Sequence, residues 1–378
     1  MAVSIARKTL LHEWRRFLPA AVAVAFSGVL MTAQGALLLG IVGANALYVT
    51  QSEARFWAGY PGTQSVELGR TVRSETATVL YAQADISHVE PFLLGSGDWR
   101  AMQGGGVSVT LLGIDTAPDG EALARIVPAP LRNRLSEPGT VLLDRADGAK
   151  LSAGSGQTAE INGRSVRVVG FVEGLRGLGG VNVVTSLETA RQLDQTLPAE
   201  GGATYFLFDL NSGGQAAAVA ARLNQEAGSP RRFEIWPAER LADMSTLYML
   251  MDSGAGIAFV FATAIALLIG TVITSQTLMA AVAGTIPQYA TLRALGVPFA
   301  GLRAIVMEQA VWVGVFGLVL SVLFCLALSG VAAVYGVPFQ LRIGVIAAAS
   351  AVVFLVALVA CVLAVHRLRS ADPASLLR

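Results

Sequence analysis

Four stretches of this chain contain no Asp, Glu, Lys or Arg, and they dictate what it can fold into: Arg16 to Glu53, Asp252 to Arg293, Glu308 to Arg342, and Arg342 to Arg367. Each is long enough to cross a hydrocarbon layer of about 30 Å as a helix, which takes roughly 20 apolar residues. A charge at mid-bilayer costs about 2.5 to 3.5 kcal/mol on insertion scales, so gaps of this length mark membrane spans. Composition agrees: only 14% of residues are charged, against about 25% in a soluble domain. A net charge of +1 leaves no general basic surface for nucleic acid. Both cysteines, Cys325 and Cys361, sit in apolar runs, so there is neither a disulfide framework nor a CxxC metal motif.

The gaps predict four transmembrane helices at 18–42, 251–280, 309–334 and 343–365, with span two centred on Ile257–Ala280. Ala44-Asn45-Ala46 resembles a signal cleavage site, but the apolar run before it exceeds the 7 to 15 residues of a signal h-region, so it reads as an anchor. The amphipathic N-terminal segment 1–17, the loop 281–308 and the tail 366–378 carry nine basic residues: Arg7, Lys8, Arg15, Arg16, Arg293, Arg303, Arg367, Arg369 and Arg378. Their acids are three, Glu13, Glu308 and Asp372. The positive-inside rule therefore places all three segments and both termini in the cytoplasm of a multi-pass protein. Residues 43–250 fall outside, and 335–342 form a short external loop.

The 43–250 segment is long enough for one or two folded units. Strands are expected at Gln64–Leu68, Val107–Leu112, Thr140–Leu143, Asn182–Thr185, Tyr205–Leu210 and Arg232–Trp236. Ala159–Val169 reads as a hairpin, because Asn162-Gly163 suits a two-residue type I′ turn needing φ > 0 at both positions. Helices are expected at Ser186–Leu193 and Gly214–Ala227, and Glu239–Leu250 is expected to run on into span two. The mixture predicts an α+β external domain inserted between helices 1 and 2, with two subdomains meeting near Gly120–Pro138.

The residues offer little chemistry. The only lysines, Lys8 and Lys150, do not follow glycine, so no Walker A motif exists. There is no GxSxG elbow, and His12-Glu13 does not continue as HExxH. Asp85, His88 and Glu90 have metal-ligand chemistry but read better as a solvated strand edge. Glu173 with Gly174–Gly180 reads as a loop that could meet a lipid or partner. Glu308 reads as a helix-end group at the start of span three. Gln34, Asn45, Ser275 and Gln276 can bond across helix interfaces, and Ala258, Ala262, Ala266 and Gly270 form a small-residue ridge suited to a transmembrane dimer interface. No catalytic, cofactor or metal residue can be assigned, and the chain does not read as an enzyme.

The order of parts then becomes specific. Thr285–Gly296 followed by Glu308-Gln309-Ala310 resembles the cytoplasmic signature of ABC exporter permeases of the FtsX/MacB superfamily. Val141-Leu142-Leu143-Asp144-Arg145, Glu160–Arg164, Tyr289–Gly296 and the tail Leu368–Ala374 are most similar to DevC-type permeases. The resemblance implies a homodimeric or pseudo-dimeric permease of the bacterial inner membrane, driven by a separate cytoplasmic ABC ATPase that holds ATP and Mg. It also implies a periplasmic adaptor (membrane fusion) protein. Pro287, Gln288, Tyr289, Leu292, Arg293, Leu295 and Gly296 would couple to that ATPase, with Gln288 standing where related permeases often carry an acid. Independently, a transporter without a nucleotide site must borrow its energy, and Tyr289, Leu292 and Leu295 fall on roughly one helical face.

The expected function is ATP-driven export, or mechanical transmission to an external domain, acting on a lipid-like or amphipathic cargo among membrane lipids. Lipoprotein release and control of a cell-wall hydrolase are alternatives in the same class. A motor-free membrane receptor is the alternative outside it.

Overall fold

A computed structural model describes residues 12–84, 86–102, 104–177, 180–210, 216–226, 232–252, 254–283, 298–335, 337 and 339–369. The chain divides into two units, Met1–Gly40 with Ile257–Arg378, and Ile41–Gly256. In chain order the helices are α1 (Trp14–Asn45), α2 (Leu47–Thr50), α3 (Ser74–Tyr81), α4 (Ala129–Arg134), α5 (Leu187–Leu193), α6 (Ala216–Glu226), α7 (Ala238–Met251), α8 (Ala255–Ala283), α9 (Phe299–Val334) and α10 (Ile343–Arg369). The strands are β1 (Phe56–Gly59), β2 (Ile86–Ala101), β3 (Gly106–Ile114), β4 (Thr140–Asp144), β5 (Thr158–Ile161), β6 (Arg164–Val172), β7 (Val181–Ser186), β8 (Tyr205–Leu210) and β9 (Glu234–Pro237).

The first unit consists of long apolar helices. Three of the described stretches, Trp14–Asn45, Gly256–Thr277 and Ala304–Val334, are long and apolar enough to cross a membrane. The fourth expected span falls in α10, where the described apolar stretch is Ile343–Val359 and shorter. The helix that carries span three, α9, starts at Phe299, so Glu308 lies within the helix. The helices pack on α1. Val24 joins Val353 and Ala357 of α10 in one buried cluster, with Leu318 of α9 against it.

The second unit is built on a single long strand. β2 pairs with β8 through Ile86–Phe92 and with β3 from Leu93 to Arg100, so its two halves belong to two different sheets. The first half completes the antiparallel order β9-β1-β8-β2. Val89, Phe206, Phe208 and Ile235 cover one face of that sheet against Leu80 of α3 and Leu223 of α6. The second half closes a ring, β2-β3-β7-β4-β6-β5, in which β3–β7 and β4–β6 run parallel.

Alternation of side chains explains how the ring packs on both sides. Leu111, Val141, Leu143 and Val183 share one cluster with Trp99 and Ile161, whereas their neighbours Leu112, Leu142 and Val184 join Trp57, Phe92 and Trp236 in another. A fully buried side chain of this kind contributes roughly 1.5–3 kcal/mol. The Trp57 ring meets Phe92 and Tyr205 edge-on at centroid distances of 5.5 and 5.4 Å. At the open edge of the unit, Asn224 of α6 takes a strand's place beside β9: it accepts from Ile235 N at 2.8 Å and donates to Ile235 O at 3.0 Å.

Several expectations are corrected. Residues 64–68 form no strand; Val66–Leu68 is a 3-10 turn. Residues 41–256 form one compact unit, and the change of sheet falls between Phe92 and Leu93 on β2 rather than near Gly120–Pro138. The α7 helix does not run on into span two, since Gly254, with φ of 74°, breaks it from α8. The hairpin is as expected, with φ of 50° at Asn162 and 78° at Gly163. Ser186 caps α5 by accepting from Thr189 N.

Candidate functional site

The second unit leaves α1 at one place and approaches α8 at another, and one buried network ties these two segments together. Asn45, the last residue of α1, donates to Ser245 O of α7 at 2.6 Å and to Ser65 Oγ at 3.2 Å. Ser245, itself fully buried, accepts from Val66 N at 2.9 Å through its hydroxyl, which donates to Leu241 O at 2.7 Å. Tyr205 of β8 donates to Val66 O at 2.9 Å. Burial holds the Tyr205 phenol far above its usual range, so it stays a donor.

A second tie runs into the ring of strands. Tyr48 donates to Asn182 Oδ1 of β7 at 3.0 Å, and Asn182 Nδ2 donates to Leu175 O at 2.7 Å. Leu175 N in turn donates to Asp144 Oδ2 at 2.8 Å. The glycine-bearing loop after β6 is thus bonded, through Asn182, back to Tyr48 of α2. Burial and nearby Glu67 push the Tyr48 phenol up, while the Asn182 hydrogen bond opposes them. An Asn within the apolar run Val181–Val184 is the one sequence signal for this contact.

The segment 115–127 adds a third tie. Leu123 N donates to Ser52 Oγ at 2.9 Å, and Arg125 donates to Gln51 O and Thr50 O at 3.1 and 2.9 Å. Behind it lies a buried ion pair, Glu90–Arg132, at 3.6 Å. Glu90 Oε2 accepts from Glu121 N and Ala122 N, and Arg132 donates to Asp115 O at 2.7 Å and to Ala122 O. Burial pushes the Glu90 carboxyl up, against the Ala122 N–H and Arg132. Glu90 is therefore no solvated group: this half of β2 edges its sheet, but the 115–127 segment and Arg132 cover it, and Glu90 is fully buried. His88 sits two residues away on the same strand, Asp85 lies outside the described residues, and among the described residues no metal-binding group of three or more ligands forms. A cavity of about 630 Å³ lined by Ser52, Arg55, Arg125, Ala238 and Asp243 opens between the segment after α1 and the base of α7.

Within the helical unit, Ser27 of α1 contacts α8. Its hydroxyl lies 3.2 Å from Gly270 O, 3.1 Å from Thr274 Oγ1 and 2.9 Å from Ala23 O. A Cβ at Gly270 would lie 2.8 Å from Ser27 Oγ, so the helices meet there only because residue 270 is glycine. Of the expected ridge, Gly270 and Ala266 are buried, Ala262 is half-buried and Ala258 is exposed. The coupling residues Pro287, Gln288, Tyr289, Leu292, Arg293, Leu295 and Gly296 lie outside the described residues.

The model of the MacB-like periplasmic core domain matches residues 20–226, more than half of the chain, and that of the FtsX-like permease C-terminal matches residues 260–373. No curated protein matches the chain. Among solved structures, the periplasmic region of MacB from Actinobacillus actinomycetemcomitans aligns over 52% of this chain and 94% of its own, at 16% identity and a TM-score of 0.37. The extracellular domain of the noncanonic ABC-type transporter YknZ from Gram-positive bacteria aligns over 49% of this chain and 100% of its own, at 13% identity and a TM-score of 0.35.

Proposed function

Because this chain belongs to the family of the MacB-like periplasmic core domain and ends in an FtsX-like permease segment, we propose that it is the permease subunit of an ATP-driven exporter of DevC type. In this reading the 281–308 loop is cytoplasmic and takes up motion from a separate ABC ATPase, which holds the ATP and Mg. Four spans place both termini in the cytoplasm, with α10 as the fourth. A homodimer of such chains, working with a periplasmic adaptor protein, extrudes a lipid-like or amphipathic cargo from the inner membrane.

The observation that carries the reading is the Asn45–Ser245 bond at 2.6 Å. It fastens the end of the helix leading into the periplasmic domain to the helix leading out of it. A displacement of either segment is then delivered to the domain as a unit, and Tyr48–Asn182 passes it to the ring of strands. Buried hydrogen bonds suit this work, since breaking one leaves an unsatisfied group costing about 1–3 kcal/mol.

Affinity isolation of the tagged chain from its native membranes, followed by mass spectrometry, tests the assignment. Recovery of an ABC ATPase and an adaptor protein in fixed ratio with this chain is expected. Recovery of the chain without any nucleotide-binding protein would overturn it and favour a motor-free receptor.

A further inference from the structure

We propose that the cavity between β1 and the start of α3 is a docking site for a carboxylate-bearing segment of a partner protein. The cavity, about 460 Å³, is lined by Tyr60, Thr71, Arg73, Glu75, Arg232 and Phe233, among others. Arg73 and Arg232 come from separate parts of the chain, one preceding α3 and one preceding β9, yet both wall the same space. A third guanidinium stands beside it: Arg70 Cζ lies 5.5 Å from the centroid of the Tyr60 ring. Among the described residues, none of these three arginines has a carboxylate within ion-pair distance, whereas Arg55, Arg100, Arg132, Arg145, Arg167 and Arg176 each have one.

Exposed arginines left unpaired around one concavity are a receptor for anions. A guanidinium presents parallel N–H donors that match a carboxylate bidentately. Arg and Tyr are also the residue types that dominate the binding energy of protein interfaces. The choice of a peptide over a charged lipid surface rests on charge and shape. Glu75 shares the wall, so a dense sheet of anionic headgroups would be repelled there, while a single carboxylate can pair with Arg73 or Arg232 and avoid it. The buried Phe233 and exposed Tyr60 give the apolar part of such a segment something to rest on. The site is independent of the transport reading.

The test uses the full chain in detergent micelles and a rhodamine-labelled, C-terminally amidated peptide bearing one glutamate beside one phenylalanine, read by anisotropy. Arg73→Gln with Arg232→Gln is expected to weaken binding about tenfold or more, since charge-assisted hydrogen bonds to the carboxylate are lost. Glu75→Gln is expected to tighten it, an effect that a merely structural role for this surface would not produce. Arg164→Gln, on the distant hairpin, is expected to leave it unchanged. Three results would overturn the proposal: no binding by wild type, equal binding by the double variant, or equal loss in Arg164→Gln. So would a double variant that keeps peptide binding while losing retention on phosphatidylglycerol vesicles, which would make the patch a membrane contact.

Discussion

Tyr48 donates its phenolic hydrogen to Asn182 at 3.0 Å, joining the residue just past the first apolar helix to a strand 134 positions further along the chain. Together with Asn45 and Ser245 it makes the segments that enter and leave the periplasmic domain a bonded frame rather than a pair of loose linkers. A frame of this kind has consequences for stability as well as for transmission.

Asn45→Ala should lower the stability of the purified protein by about 1–3 kcal/mol, because the buried Ser245 carbonyl and Ser65 hydroxyl lose their donor. Tyr48→Phe should cost less, about 1 kcal/mol. Thermal unfolding in detergent, followed by tryptophan fluorescence, checks both. Two variants indistinguishable from wild type would show that the frame bears no load.

The Glu90–Arg132 pair predicts non-additivity. Removing one partner leaves a buried charge unpaired and should cost about 3–5 kcal/mol, whereas Glu90→Leu combined with Arg132→Leu should cost less than the sum of the singles. A double-mutant cycle on chemical denaturation measures the coupling. Strict additivity would mean that the two charges do not sense each other.

Glu121 predicts a pH dependence. Its carboxyl is pushed up from 4.5 to about 7, by burial first and then by Asp209, with His88 lowering it and Glu90 raising it. Among the described residues, its Oε2 is buried without a hydrogen-bond partner. The folded state therefore binds this proton more tightly than the unfolded chain. The resulting stability is full below about pH 4.5 and is lost as pH rises through about 7. Glu121→Gln removes the titration, so its melting temperature relative to wild type should rise steadily from pH 5 to pH 8. A difference independent of pH would contradict the assignment.

Much of this architecture was legible in the sequence, for identifiable reasons. The apolar gaps announce themselves because a bilayer excludes charge over a fixed length. The Asn162-Gly163 hairpin is legible because its signal is local, two adjacent residues with positive φ. The long β2 strand was missed, since Pro91, Gly95 and Gly97 interrupt its alternation, and those interruptions fall around the point where it changes sheets. The burial of Glu90 is not legible for a related reason: nothing near it in sequence indicates that Arg132 pairs with it. Asn45 was singled out as able to bond across helices, but its partner Ser245 could not be read, because hydrogen-bond partners between distant segments depend on the tertiary fold.

The topology predicts a labelling pattern. Ser155 is exposed in the periplasmic domain, and Ser370 lies in the tail after α10. With Cys325 and Cys361 replaced, Ser155→Cys should react with a membrane-impermeant thiol reagent in spheroplasts, and Ser370→Cys should react only after lysis. Labelling of Ser370→Cys in sealed spheroplasts would remove a span from the account.

The central claim is that this chain is driven by an ATPase in trans through its cytoplasmic loop, and ATP hydrolysis by the reconstituted complex tests it most directly. Truncating an aromatic anchor at an interface commonly costs about 2 kcal/mol or more, and a rim charge much less. Wild type is therefore predicted to stimulate its ATPase, Tyr289→Ala to abolish the stimulation and Arg293→Ala to reduce it mildly. Full stimulation by Tyr289→Ala would contradict the account.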